Sequence, residues 1–294
     1  MFSETIVTTF RRIGRSARRS IAAVVALGIV GGAAAFGAGA GTATAAPADD
    51  VSTVLGSLSN SSADLGLPDL PILRDLLRPP GGGIAGKTGC RRVIQIGDST
   101  SMGADDAGRV PSPSDRLTAQ YRQVGAASVV LDASPGRSIV EKANGQPNAT
   151  EAVTGRLARG QRGCWVIAIG VNDAANVAVG NPVSADARID RIMSQLRGQP
   201  VLWPTVATTP AATNRAYNPA AMSSFDAALR RASTRYPNLA VYDWAGVARP
   251  DWFVDGIHYT ATGLAERNRR FAAALATAYP RPDDSTPAAR WIAG

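Results

Sequence analysis

The chain has 294 residues, with 31 Lys and Arg against 23 Asp and Glu, two cysteines and a single histidine. The formal charge of +8 is concentrated at the start, where five arginines and Glu4 precede residue 46 and leave +4 for the remainder. That remainder has no basic cluster interleaved with aromatics, which argues against nucleic acid. One histidine, no carboxylate cluster and no Gly-rich phosphate loop argue against a metal- or phosphate-dependent enzyme.

In chain order, the basic stretch FRRIGRSARRS is followed by a run without charge from Arg19 to Asp49, containing Ala43-Thr44-Ala45. This pattern predicts a secretory signal peptide over residues 1–45 and therefore a secreted or envelope-associated protein. Cleavage after Ala45 avoids placing Pro47 beside the scissile bond. An uncleaved membrane anchor is the alternative, since the run is long enough to span a bilayer, although its Gly and Ala content suits a span poorly. Residues 46–89 are Ser-, Gly- and Pro-rich and read as a flexible linker or tail. Within them the Leu-rich 66–77 segment is either a short docking helix or a transient amphipathic turn.

From Cys90 to about Pro280 the pattern changes to short apolar runs separated by amphipathic segments. The runs are Arg92–Gly97, Ser128–Ala133, Trp165–Gly170, Pro200–Thr205 and Leu239–Trp244. Nearly continuous Val- and Ile-rich runs suit strands covered on both faces, as in a parallel sheet. Between them, Ser184 is a good N-cap for a helix whose Ile189, Ile192, Met193 and Leu196 share a stripe, and Gly198 closes it. Asn148, Asn218 and Thr262 are expected to begin three more helices. Strands alternating with helices predict an open α/β sandwich of one domain over residues 90–280, with residues 281–294 as a C-terminal tail.

Function in such sheets collects beyond the carboxyl ends of the strands. Gly97-Asp98-Ser99 lies there after the first run, Ser134-Pro135-Gly136 after the second and Gly170-Val171-Asn172-Asp173 after the third. Taken singly, each is ordinary turn or cap chemistry. His258, the sole histidine, follows Asp255 by three residues across a Gly-containing turn, a spacing that lets a carboxylate meet one imidazole nitrogen. A serine nucleophile needs a base of that kind. Asn172 and a backbone N–H at Gly136 are the groups that stabilise an oxyanion.

Together these four blocks resemble the SGNH hydrolases, or GDSL-type esterases, in the family's order and over Cys90 to about Pro280. The resemblance implies a flavodoxin-like three-layer α/β/α sandwich with a five-stranded parallel sheet in the order 2-1-3-4-5. It implies cofactor- and metal-free ester hydrolysis or acyl transfer, with Ser99 as nucleophile, His258 as base and Asp255 orienting the ring. The Ser99 and Gly136 amides and the Asn172 side chain would form the oxyanion hole. Asp98 is assigned to holding the loop in shape and Ser101 to the following turn. Thr100 stands where the family name has Leu.

More narrowly, GDSTSMG, GCWVIAIGVNDAAN and DWFVDGIHYT resemble exported actinobacterial members, some of whose relatives are attached to membrane acyltransferases. That resemblance implies an acyl ester on an envelope glycan or lipid as substrate, with a membrane acyltransferase as candidate partner. A monomer is expected. In the implied strand order the first and third strands are parallel neighbours, so Cys90 and Cys164, just before each, fall at one edge in nearly matching register. With export permitting a disulfide and only one pairing available, a Cys90–Cys164 bridge is expected on the side opposite the active site. Three functions compete: a secreted esterase, an acyltransferase using the same residues, and a non-catalytic envelope-binding module.

Overall fold

The computed structural model describes residues 86–281 and 290–294. The expected signal peptide, the linker up to residue 85 and the Leu-rich 66–77 segment lie outside the described residues. Among the described residues no helix is long and apolar enough to cross a membrane.

The Val- and Ile-rich runs form the strands β1 (Arg92–Gly97), β2 (Ser128–Ala133), β3 (Cys164–Ala168), β4 (Val201–Pro204) and β5 (Leu239–Tyr242). All pair in parallel, in the order β2-β1-β3-β4-β5. Alternation of side chains across each strand divides the interior into two cores. Val93, Val166, Leu202, Ala240 and Tyr242 face one way, onto α1 (Leu117–Gln123) and α6 (Ala261–Ala278) through Leu117, Tyr121, Leu264, Phe271 and Leu275. Ile94, Trp165, Ile167, Val201, Trp203 and Val241 face the other way. There they meet α2 (Ala149–Ala158), α3 (Val171–Ala178), α4 (Ala185–Gln195) and α5 (Pro219–Arg235). The result is the expected three-layer α/β/α sandwich. Strands buried on both faces need the near-continuous apolar sequence observed here, and β2, at an edge, is only half-buried.

Local chemistry sets the helix starts as expected at three positions. Asn148, Ser184 and Asn218 each accept a hydrogen bond from a backbone N–H in the first turn, the N-cap contact that satisfies an otherwise orphaned donor. The start of α6 departs from expectation, because its cap is Thr260 and not Thr262. Thr260 is held in place by its own N–H donating to Trp252 O, so the chain turns two residues earlier than the apolar pattern indicates.

Among the described residues the sheet has six strands, where five were expected. Beyond β5 runs β6 (Trp291–Ile292), parallel to it, with Val241 N donating to Arg290 O and Asp243 N to Ile292 O. Part of the segment expected as a tail thus completes the sheet edge. The Arg230 guanidinium lies 3.6 Å from the Trp291 ring centroid and covers the new strand. The folded region also begins before Cys90: buried Thr88 donates to Val124 O and, through its hydroxyl, to Tyr279 O.

Cys90 and Cys164 are joined in a disulfide at the amino-terminal edge of the sheet, where Val93 pairs with Cys164. The bridge closes a loop with a sequence separation of 74. Restricting the unfolded chain over such a loop contributes roughly 4 kcal/mol in the chain-entropy view. Replacing both cysteines with alanine is therefore expected to lower unfolding free energy by about 2–4 kcal/mol in urea titrations. The folded variant should keep its activity, because the bridge lies at the edge opposite Ser99. An unchanged urea midpoint would contradict this account.

Candidate active site

The first strand ends at Gly97, and Asp98 immediately caps a short 3-10 turn over Ser99–Ser101. Asp98 is buried, and its Oδ1 accepts from the Thr100 N–H at 2.8 Å and from the Thr100 hydroxyl at 2.6 Å. Burial pushes its carboxyl upward, and the two Thr100 bonds together with the charge of Arg267 oppose that shift. This contact presents the half-buried Ser99 side chain at the sheet edge, and Ser99, as the first residue of the turn, has no amide partner within it. Ser101 points the other way. Its hydroxyl is buried against Gln95 and Arg267, so the two serines of the motif are separated by environment.

On the other side of the sequence, residues 253–259 form a tight excursion just ahead of α6. Phe253 and Tyr259 pair as an isolated antiparallel bridge, and Val254 N donates to His258 O. Trp252 and Tyr259 anchor its ends by packing on Trp244, whose indole N–H donates to the Tyr259 hydroxyl. At the tip, Gly256 has φ +85, and a Cβ there would run into the backbone of Ala211–Ala212. Only glycine turns the chain so sharply at that distance, and Thr209 N holds the tip by donating to Gly256 O.

These two elements bring Ser99 and His258 together. Ser99 Oγ lies 2.9 Å from His258 Nε2, and His258 Nδ1 lies 2.7 Å from Asp255 Oδ2. A carboxylate can only accept, so Nδ1 carries the proton toward Asp255 and Nε2 is the acceptor for the Ser99 hydroxyl. Asp255 Oδ1 also accepts the backbone N–H groups of Ile257 and His258, at 2.9 and 2.7 Å. Partial burial disfavours the Asp255 charge, but the ring and the two amides outweigh it and bring its carboxyl down to about 2. The site is open: 40% of the His258 side chain and 51% of the Asp255 side chain are exposed.

The other two sequence blocks converge on the same edge. Asn172 lies in the first turn of α3 and donates through Nδ2 to Arg137 O at 2.9 Å. The loop of Gly136 is stitched to β1 by Ser134 N and Arg137 Nη1, both donating to Gly97 O. Gly136 is exposed with φ +67, the left-handed geometry that turns this loop. Asp173 is no cap. It is buried, accepts from Ile139 N and pairs with the buried Arg188, which also binds Glu141. That cluster ties the Asn172 helix to the Gly136 loop.

The sequence reading missed three contributors here. Arg137 is buried in an ion pair with Asp132 and donates to Gly97, Asp132 and Pro147 carbonyls. Arg267, from α6, reaches Thr100 and Ser101. Tyr217 donates to Asn172 Oδ1 at 2.8 Å from a 3-10 turn, Arg215–Tyr217. The adjacency of Arg137 to Gly136 was a signal in hand. Neither Arg267 nor Tyr217 has any spacing relation to the motifs they touch.

A model of the GDSL-like lipase/acylhydrolase family matches residues 96–265. The chain belongs to that family. It is an esterase of the SGNH/GDSL type. Among solved structures it is similar to a carbohydrate acetylesterase family member from Sinorhizobium meliloti, at 18% identity. That match covers 63% of this chain and 97% of the other with a TM-score of 0.51, and establishes shared fold. A lipase/acylhydrolase from Enterococcus faecalis matches at 17% identity over 66% of this chain and 100% of the other, with a TM-score of 0.49. The catalytic domain of a Streptococcus pneumoniae peptidoglycan O-acetyltransferase matches at 20% identity, 63% and 90% coverage and a TM-score of 0.44. No curated protein is similar enough to this chain to count as a relative.

The Asp255 contacts set a pH dependence for this family member. The folded carboxyl sits at about 2 against an ordinary 3.8, so its stabilising contribution is complete above 3.8 and fades as pH falls toward 2. Asp255→Asn removes that contribution. Melting temperatures measured across this acid window are expected to fall more steeply for the native protein than for the variant. Parallel curves would contradict the account.

Proposed function

We propose that the protein is a secreted serine esterase that removes O-acyl groups from glycans or lipids of the cell envelope. The observation carrying this reading is the continuous chain from Ser99 Oγ to His258 Nε2 at 2.9 Å and from Nδ1 to Asp255 at 2.7 Å. In this reading Ser99 Oγ attacks the acyl carbonyl carbon while its proton passes to His258 Nε2, and the carbonyl electrons move onto oxygen. The Asn172 amide and the Ser99 and Gly136 N–H groups stabilise that oxyanion. Collapse expels the alcohol, which takes the proton from His258, and leaves acyl-Ser99. Water then attacks with His258 again accepting a proton, and the acid departs as Ser99 is restored. Asp255 holds the ring in one tautomer and stabilises the imidazolium without taking its proton.

Export is supported by the basic-then-apolar leader pattern and by the disulfide, which suits an oxidising compartment. Apolar side chains are exposed on both loops that carry the reacting groups, Met102 after the nucleophile and Val254 before the base, as an acyl-bearing substrate would favour. Exposure of His258 also bears on the alternative, an acyltransferase that delivers the acyl group to a sugar hydroxyl. Transfer requires exclusion of water, and an open base favours water as acceptor. Under the alternative, a membrane acyltransferase would be the partner that supplies the acyl group.

Ser99→Ala and His258→Ala are each expected to abolish turnover of p-nitrophenyl esters, and the double variant should lose little more, because the groups act as a unit. Asn172→Ala should cost about 10²-fold in kcat or more. A fluorophosphonate probe should label the native protein at Ser99 alone. Turnover retained by His258→Ala would overturn the mechanism. Product analysis with O-acylated glycans, with and without added acceptor, separates free acid from transferred acyl group and so decides between the two readings.

A further inference from the structure

An amide that is to stabilise an oxyanion must present its NH2 and not its carbonyl oxygen, yet the two ends of an asparagine side chain are nearly the same shape. What sets the sense of Asn172 is visible in its contacts. Nδ2 donates to Arg137 O at 2.9 Å, and Oδ1 accepts from the Tyr217 hydroxyl at 2.8 Å. Flipping the amide would set carbonyl oxygen against carbonyl oxygen at Arg137. The Arg137 contact uses one of the two N–H groups, and the second is left for the reacting oxygen.

We propose that Tyr217 is a positioning residue for the reaction: its hydroxyl locks the Asn172 amide so that one N–H faces the oxyanion. This rests on the esterase reading above. Tyr217 is suited to the task by its own support. Its carbonyl accepts from the Thr208 hydroxyl at 2.7 Å, and the turn that carries it is capped by Asn214, which accepts from Ala216 N. Its ring packs against the core between the sheet and the α3–α5 layer. Burial, and secondarily the nearby charge of Asp98, raise the phenol above its ordinary range, so it stays protonated and remains a donor wherever the esterase operates. Donation to Oδ1 also polarises the amide and strengthens its N–H groups as donors when charge develops opposite them.

The test is Tyr217→Phe in the full chain, which removes one oxygen and keeps the ring. With p-nitrophenyl acetate and butyrate, kcat is expected to fall roughly 2- to 13-fold, the worth of one hydrogen bond, with KM nearly unchanged. In an Asn172→Ala background the same change should have almost no further effect, since the group that Tyr217 positions is gone. Thr208→Val, which loosens the turn without touching the phenol, should lower kcat in the same direction by less. A merely structural role predicts instead a lowered melting temperature and a penalty that persists in full without Asn172. Native kcat in Tyr217→Phe, a penalty undiminished in the double variant, or an Asn172→Ala with full activity would each overturn the proposal. Activity surviving in Ser99→Ala would instead overturn the esterase reading, so the two failures are distinguishable.

Discussion

The hydrogen bond between Ser99 and His258 joins residues 159 positions apart, and much of the architecture accounts for its 2.9 Å length. Ser99 is placed by a buried central strand that ends at Gly97 and a carboxylate that caps the next turn. His258 is placed by a loop whose ends are clamped on Trp244 and whose tip is tied to Thr209. Both supports are stiff for the same reason. On each side a carboxylate accepts backbone amides of its own loop: Asp98 that of Thr100, and Asp255 those of Ile257 and His258. A misplacement of an ångström at either end would cost most of the advantage of preassembly.

Behind Ser99 and His258 lies a set of buried charged side chains. Asp98, Arg137, Asp173, Arg188 and Arg267 are all buried. Moving such groups out of water costs several kcal/mol each before pairing, so their presence is not explained by stability alone. What they share is connection. Arg137 links β1 to the Gly136 loop, Asp173 with Arg188 links that loop to the helix of Asn172, and Arg267 links α6 to the Ser99 turn. Apolar packing can hold layers at a given separation, but only directional bonds fix loops in register to fractions of an ångström.

The parts that were legible in the sequence share a local signature. Val- and Ile-rich runs marked the strands because burial on both faces favours apolar side chains at most positions, and even the half-buried edge strand β2 keeps Val129, Val130 and Leu131. Asn148, Ser184 and Asn218 marked helix starts because a capping side chain acts within three residues of its own position. Where the deciding contact lies far away, reading failed. Trp291–Ile292 is too short to show any period, and it becomes a strand only because β5 offers an open edge. Thr260 replaces Thr262 as a cap because Trp252 O catches its amide. Helix α1 takes no cap from its own N-cap residue, Arg116; Asp105, 13 positions before Thr118, accepts the Thr118 amide in its first turn instead.

By itself the sequence determined the α/β layering and narrowed the chemistry to few candidates: a sole histidine three residues after an aspartate and one Gly-Asp-Ser turn. Those follow from residue identity and short spacing, which one chain states outright. Only the tertiary structure decided which atoms meet. It brought Ser99 Oγ within 2.9 Å of His258 Nε2, placed Asp173 in a buried ion pair with Arg188, and brought Tyr217 and Arg267 to motifs with which they share no pattern. A hydrogen bond depends on distance and angle between side chains from different strands and helices, and no periodicity within a single segment encodes either.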